Sequence, residues 1–263
     1  MNSAIVASPY CAFVPEPEKL DPVARLIFNW ARGRLPSHSM IFQLLFLANL
    51  VFWPRNSQFA KHYEGTPYSD SRHRGQAQKI PGKVECAYYD FGGEGIAYHD
   101  VDAKNNGSGS LNPADGTYLN QFRMNEGVDT SYTKFHDQID DNPYNRVQPP
   151  ENQLYVGWTE PGEWFNITVQ VAHSGYYTAD LLYTSNRGGS VSVDVNGRAA
   201  SSPIEIASTY DPADPVAWRQ WHHWNLQRAA ATLGLPKGRS VLTIRILTEG
   251  NLNLAYFDFK PAR

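Results

Sequence analysis

At 263 residues, 41% hydrophobic and 19% charged, the chain is long enough for one sizeable domain with an extension, and apolar enough to build a core. A formal net charge of −3 argues against nucleic acid or an anionic membrane as partner, since both select a basic surface. Seven Trp and 15 Tyr are the more telling counts, because amphipathic rings suit a surface that grips something partly apolar and partly polar.

Asp21-Pro22 opens an amphipathic helical run with Val23, Leu26, Ile27 and Trp30 on one side and Gly33 near its end. Arg32, Arg34 and His38 precede an apolar run, Met40 to Trp53. That run contains Gln43 and Asn49 and falls short of the roughly 20 residues needed to cross a bilayer, so no stable membrane insertion is expected. Its length suits the apolar region of a signal peptide with a basic segment before it. Residues 40–60 are therefore expected to be a signal peptide starting at Met40, with residues 1–39 an upstream extension that forms no domain. A buried or interfacial helix is the alternative. Cleavage after Ala60 leaves Gln58, a poor residue, at the −3 position. Residues 61–78 are polar and read as a linker without a core. Of the two cysteines, Cys11 and Cys86, no disulfide framework can be read, and Cys86 is expected to be a small buried hydrophobe.

From Lys79 onward, strand signals recur every 10–15 residues with no helical period between them. Lys83 to Tyr89 is a first short run. Trp164 to Val171 alternates cleanly, with Phe165, Ile167, Val169 and Val171 sharing one face. Gly175 to Thr184 places Tyr177, Ala179, Leu181 and Tyr183 together. Val191, Val193 and Val195 lead into Asn196-Gly197, a strong hairpin signal. Ser240 to Leu247 alternates again, and Leu252 to Phe259 does so imperfectly. An all-β jelly-roll β-sandwich over residues 79–263 is the expected fold. The Asn/Asp/Gly/Pro-rich region from Val101 to Gln153 is long for a compact domain, which marks it as functional or disordered.

Trp158 stands out because it precedes the Pro161-Gly162 turn at a strand mouth and has no place on the alternating core face. Trp218 follows a Pro-rich loop, Asp211 to Pro215. Trp221 and Trp224, three apart, are expected to divide between core and surface. His222 and His223 are adjacent on a strand, so they point oppositely and cannot share one ion; both are expected to be solvated. Asn251 and Asn253 after Gly250 read as turn residues on their own. Asn106-Gly107-Ser108 and Asn166-Ile167-Thr168 match the N-glycosylation pattern, Asn166 lying mid-strand.

Several segments taken together resemble a family 6 carbohydrate-binding module. These are Ile80 to Glu85, Gly92 to Asp100, Arg123 to Asp129, Val156 to Trp164, Trp218 to Trp221 and Asn251 to Phe259, which occur in the family's order across residues 79–263. The resemblance implies a jelly roll that binds a polysaccharide or oligosaccharide without cleaving it, of a kind usually attached to a glycoside hydrolase. Secretion is expected from the Met40 segment, and a monomer that requires no cofactor is expected. Two aromatic rings would flank one sugar, matched here by Trp158 and Trp218. An asparagine of the last strand would bond its hydroxyls, matched by Asn253, or by Asn251 if the register is off by two. A pyranose has an apolar C–H face and a hydroxyl rim, so a flat apolar platform with a few oriented polar groups is what it requires. Some members of the family carry a structural calcium. Its ligands would be Glu85, Asp258 and the Arg123 carbonyl, but Cys86-Ala87 stands where a second acidic residue of the opening strand is expected. Two other functions compete with this one: a jelly-roll hydrolase or lyase using Asp137, Asp140, Asp141, Glu160 or Glu163, and an adhesion domain whose cleft the Val101–Gln153 region covers.

Overall fold

The computed structural model describes residues 58–262. The upstream extension, the first helical run, Cys11 and nearly all of the expected signal peptide lie outside the described residues.

The described part is a jelly-roll β-sandwich. One sheet is ordered β1 (Gln78–Ile80), β6 (Trp164–Val171), β12 (Gly238–Thr248), β8 (Gly189–Val195), β10 (Ile204–Ile206), with β3 (Tyr98–His99) beside β6 and β9 (Arg198–Ala199) beside β8. The other is ordered β11 (Asn225–Leu235), β7 (Gly175–Ser185), β13 (Leu252–Pro261), β5 (Leu154–Val156), β4 (Thr130–Tyr132), with β2 (Gly82–Glu85) on β13.

Alternation places the core where the sequence predicts it. Phe165, Ile167, Val169 and Val171 of β6, the three valines of β8 and Leu242, Ile244 and Ile246 of β12 are all buried. Tyr177, Ala179, Leu181 and Tyr183 of β7 are buried as well. Each large apolar side chain so buried contributes roughly 1.5–3 kcal/mol. Asn196 and Gly197 both take positive φ, 51° and 73°, and Val195 pairs with Arg198, which is the two-residue hairpin the Asn-Gly pair calls for. Cys86 is buried, as expected.

The stretch read as a coreless linker is a correction. Thr66 pairs with Phe91, Tyr68 packs in a cluster with Ala87, Phe122 and Leu154, and Gln78 to Ile80 runs parallel to β6. Polarity misled because these polar groups bond to the domain rather than to water. Tyr68 and Tyr118 both donate to Asp70, and Tyr63 donates to Asp90, which also holds Thr168 of β6. The same covering buries Asn166, whose amide donates to the Ile96 carbonyl, so it is no glycan acceptor.

The imperfect alternation of the last strand has a definite cause. Pairing between β13 and β7 shifts by one residue between Leu254 and Tyr256, the signature of a β-bulge at Ala255. Leu254 faces Tyr183 before the bulge, and Phe257 and Phe259 face Leu181 and Ala179 after it. Asn253 therefore stands opposite Thr184, on the face of β13 turned away from the sandwich core.

Candidate functional site: an aromatic cavity over the start of β13

Asn253 is buried, and its orientation is fixed. Its Nδ2 donates to Thr184 Oγ1 at 2.7 Å and lies 3.0 Å from His222 Nδ1. His222 Nε2 sits 2.7 Å from Asp140 Oδ1. A carboxylate only accepts, so Nε2 carries the proton and Nδ1 is free to accept from the Asn253 amide. Asp140 also takes Trp224 Nε1–H at 2.6 Å and the Lys134 backbone N–H at 2.7 Å. Burial pushes the pKa of Asp140 up, but the hydrogen bond from His222, with those from Trp224 and the Lys134 backbone, outweighs burial and holds the carboxyl below its ordinary value. Both amide protons of Asn253 are thus committed, while its Oδ1 accepts from no described residue. Gly157 leaves the room Oδ1 needs: a Cβ there would lie 2.6 Å from it.

Trp158 follows that glycine with φ 48°, a left-handed conformation rare for a bulky residue. The neighbouring backbone holds it there. Gly157 N–H donates to the Asp129 carbonyl at 3.0 Å, and Thr159 exchanges hydrogen bonds with Leu252 through its hydroxyl. The loop that includes Gly107 packs against the indole, since a Cβ at Gly107 would come within 3.0 Å of Trp158 Cζ3. Trp218 lies on a single turn of 3-10 helix, Ala217–Arg219, and is 58% exposed. Below it, the buried Arg219 guanidinium grips Asp214 through two nitrogens at 2.7 and 2.9 Å, and His223 Nε2 adds a third contact to Asp214 at 2.9 Å. The Arg219 hydrogen bonds above all hold Asp214 well below the usual carboxylate range.

Trp158, Trp218 and Asn253 line one cavity of about 790 Å³, together with Trp221, Tyr155 and Tyr132. Leu111, Asn112 and Pro113 form part of its wall, so the long Val101–Gln153 region shapes the cavity, and the exposed Trp218 keeps it in contact with solvent. Asn251 is not part of it. That residue sits exposed in the turn with φ 55°, its N–H donating to Thr159 and its carbonyl accepting from Asn186.

His222 and His223 lie in the loop before β11 rather than on a strand; they diverge, His222 towards Asp140 and Asn253 and His223 towards Thr209 and Asp214, and both are buried rather than solvated. Asp140, His222, Lys134 and Trp221 had no pattern that singled them out as lining groups. Their partners lie more than 80 residues away in the case of Asp140 with His222 and Trp224, a separation no local spacing encodes. Trp224, fully buried, and Trp221, partly exposed, do divide as expected.

The residues put forward for calcium do not fit it. Asp258 pairs with Lys260 at 3.2 Å, Glu85 faces Gln153 Nε2 at 3.3 Å, and the Arg123 carbonyl accepts the Glu126 N–H at 3.1 Å. Calcium takes six to eight oxygens. Among the described residues, no group of three or more His, Cys, Asp or Glu side chains is placed to hold a metal. Nor is any helix among them long and apolar enough to cross a membrane.

Fold and cavity together define a jelly-roll sandwich domain with an aromatic-walled recess. No family model matches the chain, and no curated protein matches its sequence. The similar solved structures are mostly family 6 carbohydrate-binding modules, at low sequence identity. One from Clostridium stercorarium, in complex with cellobiose, is 10% identical over 72% of this chain and 99% of its own, with a TM-score of 0.42. A β-1,3-glucan-binding module from Bacillus halodurans is 11% identical over 70% and 99%, with a TM-score of 0.40. A module of a Cellvibrio mixtus lichenase, in complex with cellotriose, is 18% identical over 52% and 88%, with a TM-score of 0.37.

Proposed function

We propose that this domain binds a polysaccharide without cleaving it, holding a sugar ring against the Trp158 and Trp218 indoles while the Asn253 amide oxygen accepts from a hydroxyl. The observation that carries the reading is the convergence of both tryptophans and a pre-oriented asparagine on one cavity of about 790 Å³. Indole faces take up the C–H face of a pyranose, and an uncommitted acceptor at their edge orients it. Binding rather than hydrolysis is favoured because glycoside cleavage uses two carboxylates about 5–10 Å apart. Asp140 is the one carboxylate among the residues lining the cavity, and it is already saturated by His222, Trp224 and Lys134. Two rings and a few hydrogen bonds correspond to an affinity of about micromolar to millimolar. A secreted, monomeric module fits this role, with export resting on the Met40 segment. Affinity electrophoresis against a panel of polysaccharides tests the reading: at least one polymer retards the wild type, and Trp158→Ala or Trp218→Ala weakens that binding more than tenfold. Equal retardation of both variants and the wild type removes the site.

A further inference from the structure

Lys134 lines the same cavity and brings an ammonium group to its wall. Lys134 Nζ donates to Asn112 Oδ1 at 2.8 Å and to Ser131 Oγ at 3.4 Å, and it sits 4.4 Å from the centre of the Tyr132 ring. An ammonium has three protons, and these two acceptors take two of them. Among the described residues Lys134 forms no ion pair. The carboxylate that lies nearby in the same wall, Asp140, is buried, and its oxygens are held by His222, Trp224 and the Lys134 backbone. Burial lowers the pKa of Lys134, while the charge of Asp140 works the other way. The side chain is thus a cation held in place and partly stripped of water, with neutral acceptors and no anion hydrogen-bonded to its Nζ among the described residues.

A sugar entering the cavity removes more of that water. A neutral ring returns hydroxyl hydrogen bonds but no charge, whereas an anionic substituent returns a charge-assisted bond of roughly twice the strength. Leaving a partly desolvated ammonium without an anion bonded to it also acts against the neutral competitor, which is how a binding site gains specificity by penalty as well as by attraction. We infer that the cavity selects a glycan carrying an anionic group, a uronic acid carboxylate or a sulfate ester, which the Lys134 ammonium receives while Trp158 and Trp218 hold the ring. The inference rests on the polysaccharide-binding reading and narrows it to an acidic class.

Isothermal titration of the full-length protein with four probes of similar length tests it: a neutral glucan oligosaccharide, a xylo-oligosaccharide, an oligouronate and a sulfated oligosaccharide. The wild type binds one or both acidic probes at least tenfold more tightly than the neutral ones. That preference shrinks as salt rises from about 0.05 to 0.5 M, because the Debye length falls from more than 10 Å to less than 8 Å. K134M, of similar length and without charge, brings the acidic-to-neutral ratio towards one, and K134R restores it. The circular dichroism spectrum and melting point of each variant separate loss of selectivity from loss of fold. The oligouronate and sulfate arms identify which anion is read. Binding of the neutral probes as tight as the acidic ones, with a ratio unmoved by K134M, overturns this inference and leaves polysaccharide binding standing. No binding to any of the four probes, nor to the polysaccharide panel above, overturns both.

Discussion

Gly157→Ala is the most informative single change, because it presses on the Asn253 amide, a polar group of the cavity whose orientation is fixed by its own hydrogen bonds. Gly157 has no positive φ, so alanine is compatible with its backbone, and the added methyl acts by contact alone. That methyl would stand 2.6 Å from Asn253 Oδ1, well inside ordinary van der Waals contact, with Tyr155 Cε2 next at 3.2 Å. The amide cannot turn aside freely, since moving it breaks the bonds to Thr184 and His222, each a net contribution of about 1 kcal/mol. Overpacking a filled site costs about 1–3 kcal/mol, and alanine recovers about 0.4–1 kcal/mol by restricting the unfolded chain. A net loss of about 1–2 kcal/mol in urea unfolding is expected. Removing the obstacle should remove the cost. In an Asn253→Ala background, the same Gly157→Ala change is expected to cost less than about 0.5 kcal/mol, a coupling of more than about 1 kcal/mol between the two positions. Equal costs in both backgrounds would show that Gly157 is not what makes room for the Asn253 oxygen.

Two further outcomes follow from other parts of the domain. Glu163 is buried beside Asp100 and Asp129, and burial above all, with the charges of these neighbours, pushes its pKa up to about 8. A raised carboxyl contributes stability as the neutral acid, present below its unfolded value of 4.5 and lost as pH rises through about 8. Asp100 and Asp129, each raised to about 6, act in the same direction. The melting temperature is therefore expected to fall between pH 5 and pH 9, and Glu163→Gln to flatten that fall; an equal slope in the variant would refute the assignment. Because Glu85, Asp258 and the Arg123 carbonyl do not assemble a calcium shell, adding a chelator is expected to leave the melting temperature unchanged within about 1 °C. A drop of about 4 °C or more, the order of 1 kcal/mol in a domain this size, would reveal a cation held by other residues.

Much of the fold was legible because a half-buried strand writes its two faces into alternate residues. Phe165 to Val171, Val191 to Val195 and the Asn196-Gly197 turn all lie where that rule puts them. It blurred at Leu252 to Phe259 because the bulge at Ala255 inserts a residue into the period, and only the paired strand shows where. It failed over residues 61–78 because a segment that covers a sheet with hydrogen bonds looks polar, as the Tyr63–Asp90–Thr168 contacts show. Of the cavity, Trp158, Trp218 and Asn253 were marked by position and by the family resemblance. The groups behind them were not, since Asp140, His222 and Lys134 take their meaning from contacts between distant loops.

Whether a polysaccharide is held in the tryptophan-walled cavity is decided by measuring binding of the wild type, Trp158→Ala and Trp218→Ala to the polymer that retards the wild type most. Trp218 is 58% exposed, so its removal should leave stability within about 0.5 kcal/mol and isolate the effect on binding. Each variant is expected to stay folded and to lose more than tenfold in affinity, about 1.4 kcal/mol. Folded variants that bind as tightly as the wild type would place the sugar, if any is held, elsewhere on the sandwich.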